Sequence, residues 1–342
     1  MHKYALRWLA AILLATLSVS LVSQNAIHAF ENYNKGVKLL KINEYDSAAY
    51  YFNSAIALKP DINRAHYNLA VVYYAKADYK RAIRTIDSYL QVVKSDKAYY
   101  LKARSFHLLN EIDSAFFYYG KAIAAGNKLP QACFYKGTIL YERGDYQEAL
   151  EFFTESVILD NQKGLYYYNR ALTYEKLQLY DNAIDNYLTA LEFFQDDAEM
   201  LSNLGYCYFK NNNNRDAVKY LKNALELEPE NVSALNNLGL VYLGMDNNNE
   251  AITYFADAIK LDAGNPILLN NRGVAYYKIG DFDNAMREFN SIINRFSTDK
   301  IAYYNRANVK EYLLNIAGAC EDWAKALLYG VDENIVPLNL CK

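Results

Sequence analysis

Alanine recurs at a fixed interval along this 342-residue chain: Ala48, Ala82, Ala115, Ala149, Ala183, Ala217, Ala251, Ala285 and Ala319 are 34 residues apart, with one 33-residue step. A unit repeated at that period buries its apolar face only against its neighbours, so one central core shared by the whole chain is excluded. Taking the alanine as position 20 gives nine repeats, beginning at Ala29, Asn63, Asp96, Pro130, Gly164, Ala198, Val232, Pro266 and Lys300. Position 8 holds Gly36, Ala70, Ala103, Gly137, Ala171, Gly205, Gly239, Gly273 and Ala307, nothing larger than alanine. Position 24 is always large: Phe52, Ile86, Tyr119, Phe153, Tyr187, Leu221, Phe255, Phe289 and Trp323.

Apolar or small residues at positions 4, 7, 8 and 11 form one helical stripe, and positions 20, 24, 27 and 28 form a second. Short polar turns such as Asn43-Glu44, Gly144-Asp145 and Gly280-Asp281 separate them. Each repeat is therefore expected to be a helical hairpin. Two helices approach closely only where a contact residue is small, which is the reason for Gly or Ala at 8, Ala at 20 and a large residue at 24. The fold class is all-α, and with 5 prolines and 14 glycines strand-and-turn architectures are disfavoured.

These columns, with an aromatic near position 11 and alanine at 27, resemble the tetratricopeptide repeat over residues 29 to about 330. The resemblance implies an α-solenoid, a right-handed superhelix of nine hairpins whose first helices line a concave wall. Departures are the proline usual at position 32, which survives only as Pro60 and Pro229, and the absence of tryptophan at position 4. Leu101 interrupts an asparagine column in repeat three, and Lys310 takes a usually aromatic place in repeat nine.

The stripe at positions 2, 5, 6, 9, 12 and 13 is not required for packing within the hairpin, so it carries the clue to function. Position 6 is Asn34, Asn68, Asn169, Asn203, Asn237, Asn271 and Asn305, with Leu101 and Tyr135 as exceptions. Asparagine is a mediocre helix former, and its amide offers donors and an acceptor that match a peptide backbone. The family resemblance implies a ladder holding the main chain of an extended ligand; hydrogen bonding between neighbouring repeats is the other reading. Position 5 is Tyr33, Tyr67, Tyr100, Phe134, Tyr168 and Tyr304 in six repeats, and Ser202, Asn236 and Asn270 in repeats six to eight. Aromatic residues there suit a recognition groove, or equally helix–helix contacts in a chain with 34 tyrosines. The family's lysine–asparagine clamp for a C-terminal carboxylate is not supported: position 5 has no lysine, and position 9 has asparagine only at Asn308.

A net charge of −3 disfavours nucleic acid as a partner. No nucleotide-binding, nucleophile-elbow or metalloprotease motif is present, and no segment is left over for a catalytic domain. His66 reads as packed, and His107 stands alone on the candidate groove. The expected function is a non-enzymatic scaffold for protein or peptide ligands, without cofactor or metal. The alternatives are a structural subunit of an envelope assembly docked through its convex face or terminal repeats, and, more remotely, a carbohydrate-binding module. Oligomeric state is not legible.

Residues 1–28 read as a signal peptide: Lys3 and Arg7 precede fifteen uncharged apolar residues at 8–22. Cleavage falls between 20 and 29, where Ser20, Ser23, Ala26 and Ala29 are candidates. The expectation is export to the periplasm or cell envelope; an uncleaved membrane anchor is the rival reading. The chain ends in a segment, 331–342, that follows the repeats. Cys133 and Cys207 read as small core residues. The Ala319-Cys320-Glu321-Asp322-Trp323 run resembles the closing repeat of exported bacterial members of the family, which implies a disulfide to Cys341; two reduced thiols remain the alternative.

Overall fold

The computed structural model describes residues 23–126 and 129–341; the basic and apolar residues 1–22 behind the export expectation lie outside the described residues. The described residues contain eighteen α-helices and no strand. They pair as nine hairpins: α1 (23–41) with α2 (Tyr45–Leu58), α3 (Asn63–Ala75) with α4 (Tyr79–Leu90), α5 (Asp96–Leu108) with α6 (Ile112–Ala124), and α7 (Pro130–Arg143) with α8 (Tyr146–Leu159). The remainder are α9 (Gly164–Lys176) with α10 (Tyr180–Leu191), α11 (Ala198–Lys210) with α12 (Asn214–Leu227), α13 (Val232–Gly244) with α14 (Asn248–Leu261), α15 (Pro266–Lys278) with α16 (Phe282–Arg295), and α17 (Lys300–Tyr312) with α18 (Ile316–Leu328). From repeat two onward, the repeat starts read from the sequence coincide with the first residues of the odd-numbered helices. Ser23, Ala26 and Ala29 lie on α1, and Ala29 is buried.

The chain divides into two compact units, Met1–Gln162 with hairpins one to four and Lys163–Lys342 with hairpins five to nine. Within each unit, the second helix of a hairpin packs on the first helix of the next, which makes each a helical solenoid. The helix starts are chemically marked. Asp197, Asn231 and Asp299 accept the backbone N–H three residues on at first helices, as Asp78, Asn213, Asp281 and Asn315 do at second helices. Pro130 and Pro266 occupy first helical positions, where a missing N–H is harmless.

The packing columns behave as the sequence predicts. All nine position-24 side chains are 0% exposed, and every position-20 alanine is buried. The size of position 8 follows its partner: glycine faces Phe52, Phe153, Leu221, Phe255 and Phe289, and a Cβ there would come within 2.4–3.0 Å of that side chain. Alanine at position 8 instead accompanies Ile86, Tyr119, Tyr187 and Trp323.

Three features exceed the sequence reading. Every hairpin turns through a left-handed residue at position 15: Asn43, Ala77, Asn110, Gly144, Gln178, Asn212, Asp246, Gly280 and Leu314. Only two are glycine, so most turns accept a conformation that costs about 1–2 kcal/mol for a residue with a Cβ. Second, position 7, read above as part of an apolar stripe, is Lys or Arg in six repeats and pairs with position 23 within hairpins. Lys35 and Lys102 sit over Tyr51 and Tyr118, and Lys136 over Phe152; Arg170 donates to Asn186 at 2.7 Å, and Arg272 and Arg306 pair with Glu288 and Asp322, each at 2.6 Å. Third, polar ties 30 residues apart join neighbouring hairpins: Lys76 with Asp46, Arg143 with Asp113 at 2.6 Å, and Asn211 with Asp181 at 2.6 Å.

The last hairpin is closed by two short 3-10 turns, Glu333–Ile335 and Leu338–Cys341. Val331 and Val336 are buried against it, and Cys320 is joined to Cys341 with Cα atoms 5.6 Å apart. Lys310 finds its reason here: with Arg306 it faces Asp322, at 2.7 Å, and the two cations hold that buried carboxyl below its usual range against the opposing effect of burial. Cys133 and Cys207 are buried thiols outside that disulfide, in line with small core residues.

Candidate functional site

The candidate binding face in each unit is built from the odd-numbered helices. In the second unit its central feature is a chain of amide bonds. Asn237 Nδ2 donates to Ser202 Oγ at 3.4 Å, Asn271 Nδ2 to Asn236 Oδ1 at 2.9 Å, and Asn305 Nδ2 to Asn270 Oδ1 at 2.7 Å. In the first unit Asn68 Nδ2 donates to Tyr33 Oη at 3.3 Å. The rule is the same in these four bonds: position 6 reaches back to position 5 of the preceding repeat, 35 residues earlier. Stacked helices bring those two positions together, and a short amide suits the gap whether the acceptor is a phenol, a hydroxyl or another amide.

The other asparagines depart from the rule. Asn169 donates to the Leu165 carbonyl on its own helix at 2.9 Å, and Asn34 is exposed. Tyr168, the position-5 residue of the preceding repeat, donates its hydroxyl to Glu199 at 3.2 Å, and no hydrogen bond of Asn203 is found among the described residues. Each rung uses one N–H of the amide. The Oδ1 atoms of Asn237, Asn271 and Asn305 accept no hydrogen bond within the described residues, and these residues are half-buried rather than closed off.

At position 5 the expectation that this stripe is free of hairpin packing is corrected. Tyr33, Tyr100, Phe134 and Tyr168 lean over the position-24 rings Phe52, Tyr119, Phe153 and Tyr187, with centroids 5.8–6.1 Å apart. Tyr67, whose position-24 partner is Ile86, reaches Tyr89 instead, at 5.4 Å. Small residues at positions 8 and 20 draw the two helices together until a ring at position 5 overhangs the second helix. Phe134 is buried by this, while the tyrosines stay half-exposed. Tyr304 meets the closing segment, its hydroxyl 3.4 Å from the Ile335 carbonyl.

Where position 24 carries a polar tip, the first helix supplies its partner. The Tyr119 hydroxyl meets His107 Nδ1 at 3.1 Å, Tyr187 donates to Glu175 at 2.9 Å, and Trp323 Nε1 donates to Asn308 Oδ1 at 3.2 Å. Asn308 is thereby committed to the core. His107 does not stand alone: its ring lies 6.0 Å from both Tyr119 and Tyr135. His66 is half-buried and meets the Pro60 carbonyl at 3.0 Å. Burial raises the Glu175 carboxyl, with Tyr187 opposing, and burial followed by Glu175 pushes the Cys207 thiol up. A thiol held protonated is no nucleophile.

Hairpins of 34 residues stacked through alternate helices define an α-helical repeat solenoid. The chain belongs to the tetratricopeptide repeat family: the family model described as Tetratricopeptide repeat matches residues 33–96, 168–214, 208–266 and 238–300. A second model, for subunit 3 of the anaphase-promoting complex, cyclosome, matches residues 108–190. A TPR repeat-containing protein of Methanocaldococcus jannaschii is 25% identical over 209 residues, which is 58% of this chain and 37% of that protein. The small glutamine-rich tetratricopeptide repeat-containing protein of Dictyostelium discoideum is 26% identical over 113 residues, 33% of this chain and 28% of that protein. The chain thus spans about a third of the length of the curated relatives it matches. Among solved structures, a tetratricopeptide repeat protein from Parabacteroides merdae superposes with a TM-score of 0.61 at 22% identity, covering 72% of this chain and 97% of that one. The Cut9–Hcn1 hetero-tetramer of the APC/C gives 0.57 at 17% identity, covering 91% of this chain and 75% of that one. These likenesses establish the fold. Repeats of this family serve generally as non-catalytic scaffolds that bind protein or peptide partners.

Proposed function

We propose that this chain is an exported scaffold that binds extended peptide or protein segments along the face formed by its first helices, the concave groove of the family's architecture. The observation that carries the reading is the set of inter-repeat rungs in the second unit. Each rung fixes an asparagine amide by one N–H and leaves its carbonyl oxygen without a partner in the described residues. A row of pre-oriented acceptors spaced by one repeat can take the backbone N–H groups of an extended chain. One hydrogen bond adds about 0.5–1.5 kcal/mol, so binding draws on several repeats together.

The test is a crosslinked pull-down from envelope extract, with wild type beside the Asn203/Asn237/Asn271 triple alanine variant. Partners lost in a variant that still folds support groove binding. Partners kept in both move recognition elsewhere, and exposed Tyr312, Leu314 and Leu328 in the last hairpin then favour a structural subunit docked through its terminal repeat.

Export rests on the basic and apolar start and on the Cys320–Cys341 link, which suits an oxidising compartment. No helix among the described residues is long and apolar enough to cross a membrane. N-terminal sequencing of the mature protein checks cleavage, and an intact Met1 refutes it.

A further inference from the structure

The asparagine column fails in adjacent repeats three and four, where Leu101 and Tyr135 replace it, and the structure puts something else there. The Arg104 guanidinium lies 4.0 Å over the Tyr135 ring. Tyr100, Tyr119 and Tyr135 pack around it with centroids 5.8–6.4 Å apart, and His107 closes the cluster at 6.0 Å from two of the rings. Arg104 is the only cation at position 9 in nine repeats; the others are Val37, Val71, Thr138, Leu172, Tyr206, Leu240, Val274 and Asn308.

We propose that Arg104, floored by Tyr135 and flanked by His107, recognises an Asp or Glu side chain of the segment bound on the first-helix face of the first unit. The proposal rests on the groove reading above. Arg143, Arg272 and Arg306 each hold a carboxylate of this chain, whereas Arg104 makes no ion pair among the described residues. Exposed Glu142 bears on His107 through its charge. Half-buried Arg104 has exchanged water for ring faces and the Tyr119 hydroxyl, with no carboxylate of the described residues paired to it. With one N–H engaged by the Tyr119 hydroxyl, the five-donor guanidinium still has N–H groups to spare, and a pair of them fits a carboxylate with two parallel hydrogen bonds. The surrounding rings thin the water and strengthen the attraction. Tyr119 is fully buried and meets His107 Nδ1, which leaves Nε2 as a further polar contact. Exposed Arg64 and Lys97, at position 2 of repeats two and three, add positive charge to the same face.

The experiment pans a random-peptide phage library against the full chain, wild type and Arg104→Gln in parallel. A selected sequence is then synthesised with an amidated C-terminus and a fluorescein label. The expected result is an Asp or Glu at one fixed register in the wild-type pool and none in the variant pool. Changing that acid to its amide should weaken binding about tenfold or more, Arg104→Gln should do the same, and both changes together should add nothing further. Arg104→Lys, which keeps the charge but not the fork, should recover part of the loss, and unchanged melting of both variants excludes unfolding as the cause. Selected peptides with no acid requirement, or additive losses, overturn the site and leave groove binding standing. Arg104-dependent binding of acid-free peptides only when their C-terminus is free moves recognition to a chain end and overturns the side-chain assignment. A library that yields no binder to either protein removes both readings.

Discussion

Replacing Gly239 by alanine should destabilise the second unit, although alanine is the better helix former. A Cβ at Gly239 would stand 2.4 Å from Phe255 Cε1 and 2.6 Å from Cδ1, about 1 Å inside ordinary contact. Phe255 is 0% exposed and packed with Ala251 and Ala275, so its ring has nowhere to retreat. Overpacking of this kind costs about 1–3 kcal/mol, while removing a glycine from a helix interior returns about 1 kcal/mol. The net expectation is a loss of about 1 kcal/mol, or roughly 2–4 °C in melting temperature for a unit of this size. Gly120→Ala is the control, since its Cβ would meet only the tip of Lys136 at 3.5 Å and the propensity gain should appear unopposed. Phe255→Ile combined with Gly239→Ala rebuilds the Ala70/Ile86 contact of repeat two and should lose less than the sum of the single changes. Urea and thermal melts of the four variants measure this. Gly239→Ala melting above wild type by as much as Gly120→Ala would refute the packing rule.

Asp322→Asn leaves Arg306 and Lys310 facing a neutral amide and should cost about 3 kcal/mol in thermal melts near neutral pH. Because the folded Asp322 carboxyl is held below its usual value, its stabilisation is full above about pH 4 and fades as pH falls, so the gap between variant and wild type should narrow in acid. Leu314, 84% exposed and left-handed at φ 61°, should gain up to about 1 kcal/mol on change to glycine, read as a rise in melting temperature. Burial and then Arg104 lower the His107 imidazole, so the folded chain binds its proton less readily than the unfolded chain. Stability should fall as pH drops through about 6.5, and His107→Gln should flatten that part of the profile.

What the sequence made legible was governed by size. Gly or Ala at 8, Ala at 20 and a bulky residue at 24 leave one solution, helices in close contact, and the columns survive because each tolerates so little. The turn residue at position 15 was not legible: it demands a backbone angle, and Asn43, Ala77, Gln178, Asp246 and Leu314 all meet the demand with different chemistry. The pairing of positions 7 and 23 was hidden in the same way, since Lys102 with Tyr118 and Arg306 with Asp322 solve one contact with different residues. The position-5 rings stay open between groove and helix–helix contact in the sequence, because periodicity names a face without saying how far a tyrosine reaches. Arg104 was overlooked because it occupies a column of otherwise neutral residues, and its meaning depends on Tyr135, which sequence reading treats only as a gap in the asparagine column.

The central claim is that partners lie along the first helices. Photocrosslinking from single benzophenone side chains in the living source cell tests it most directly. Probes at Tyr206, Leu240 and Val274, position 9 of repeats six to eight, sample the first-helix face; probes at Lys219, Thr253 and Arg287, exposed at position 22, sample the second helices. The account predicts adducts from the first set and few from the second, whereas adducts confined to the second set would contradict it.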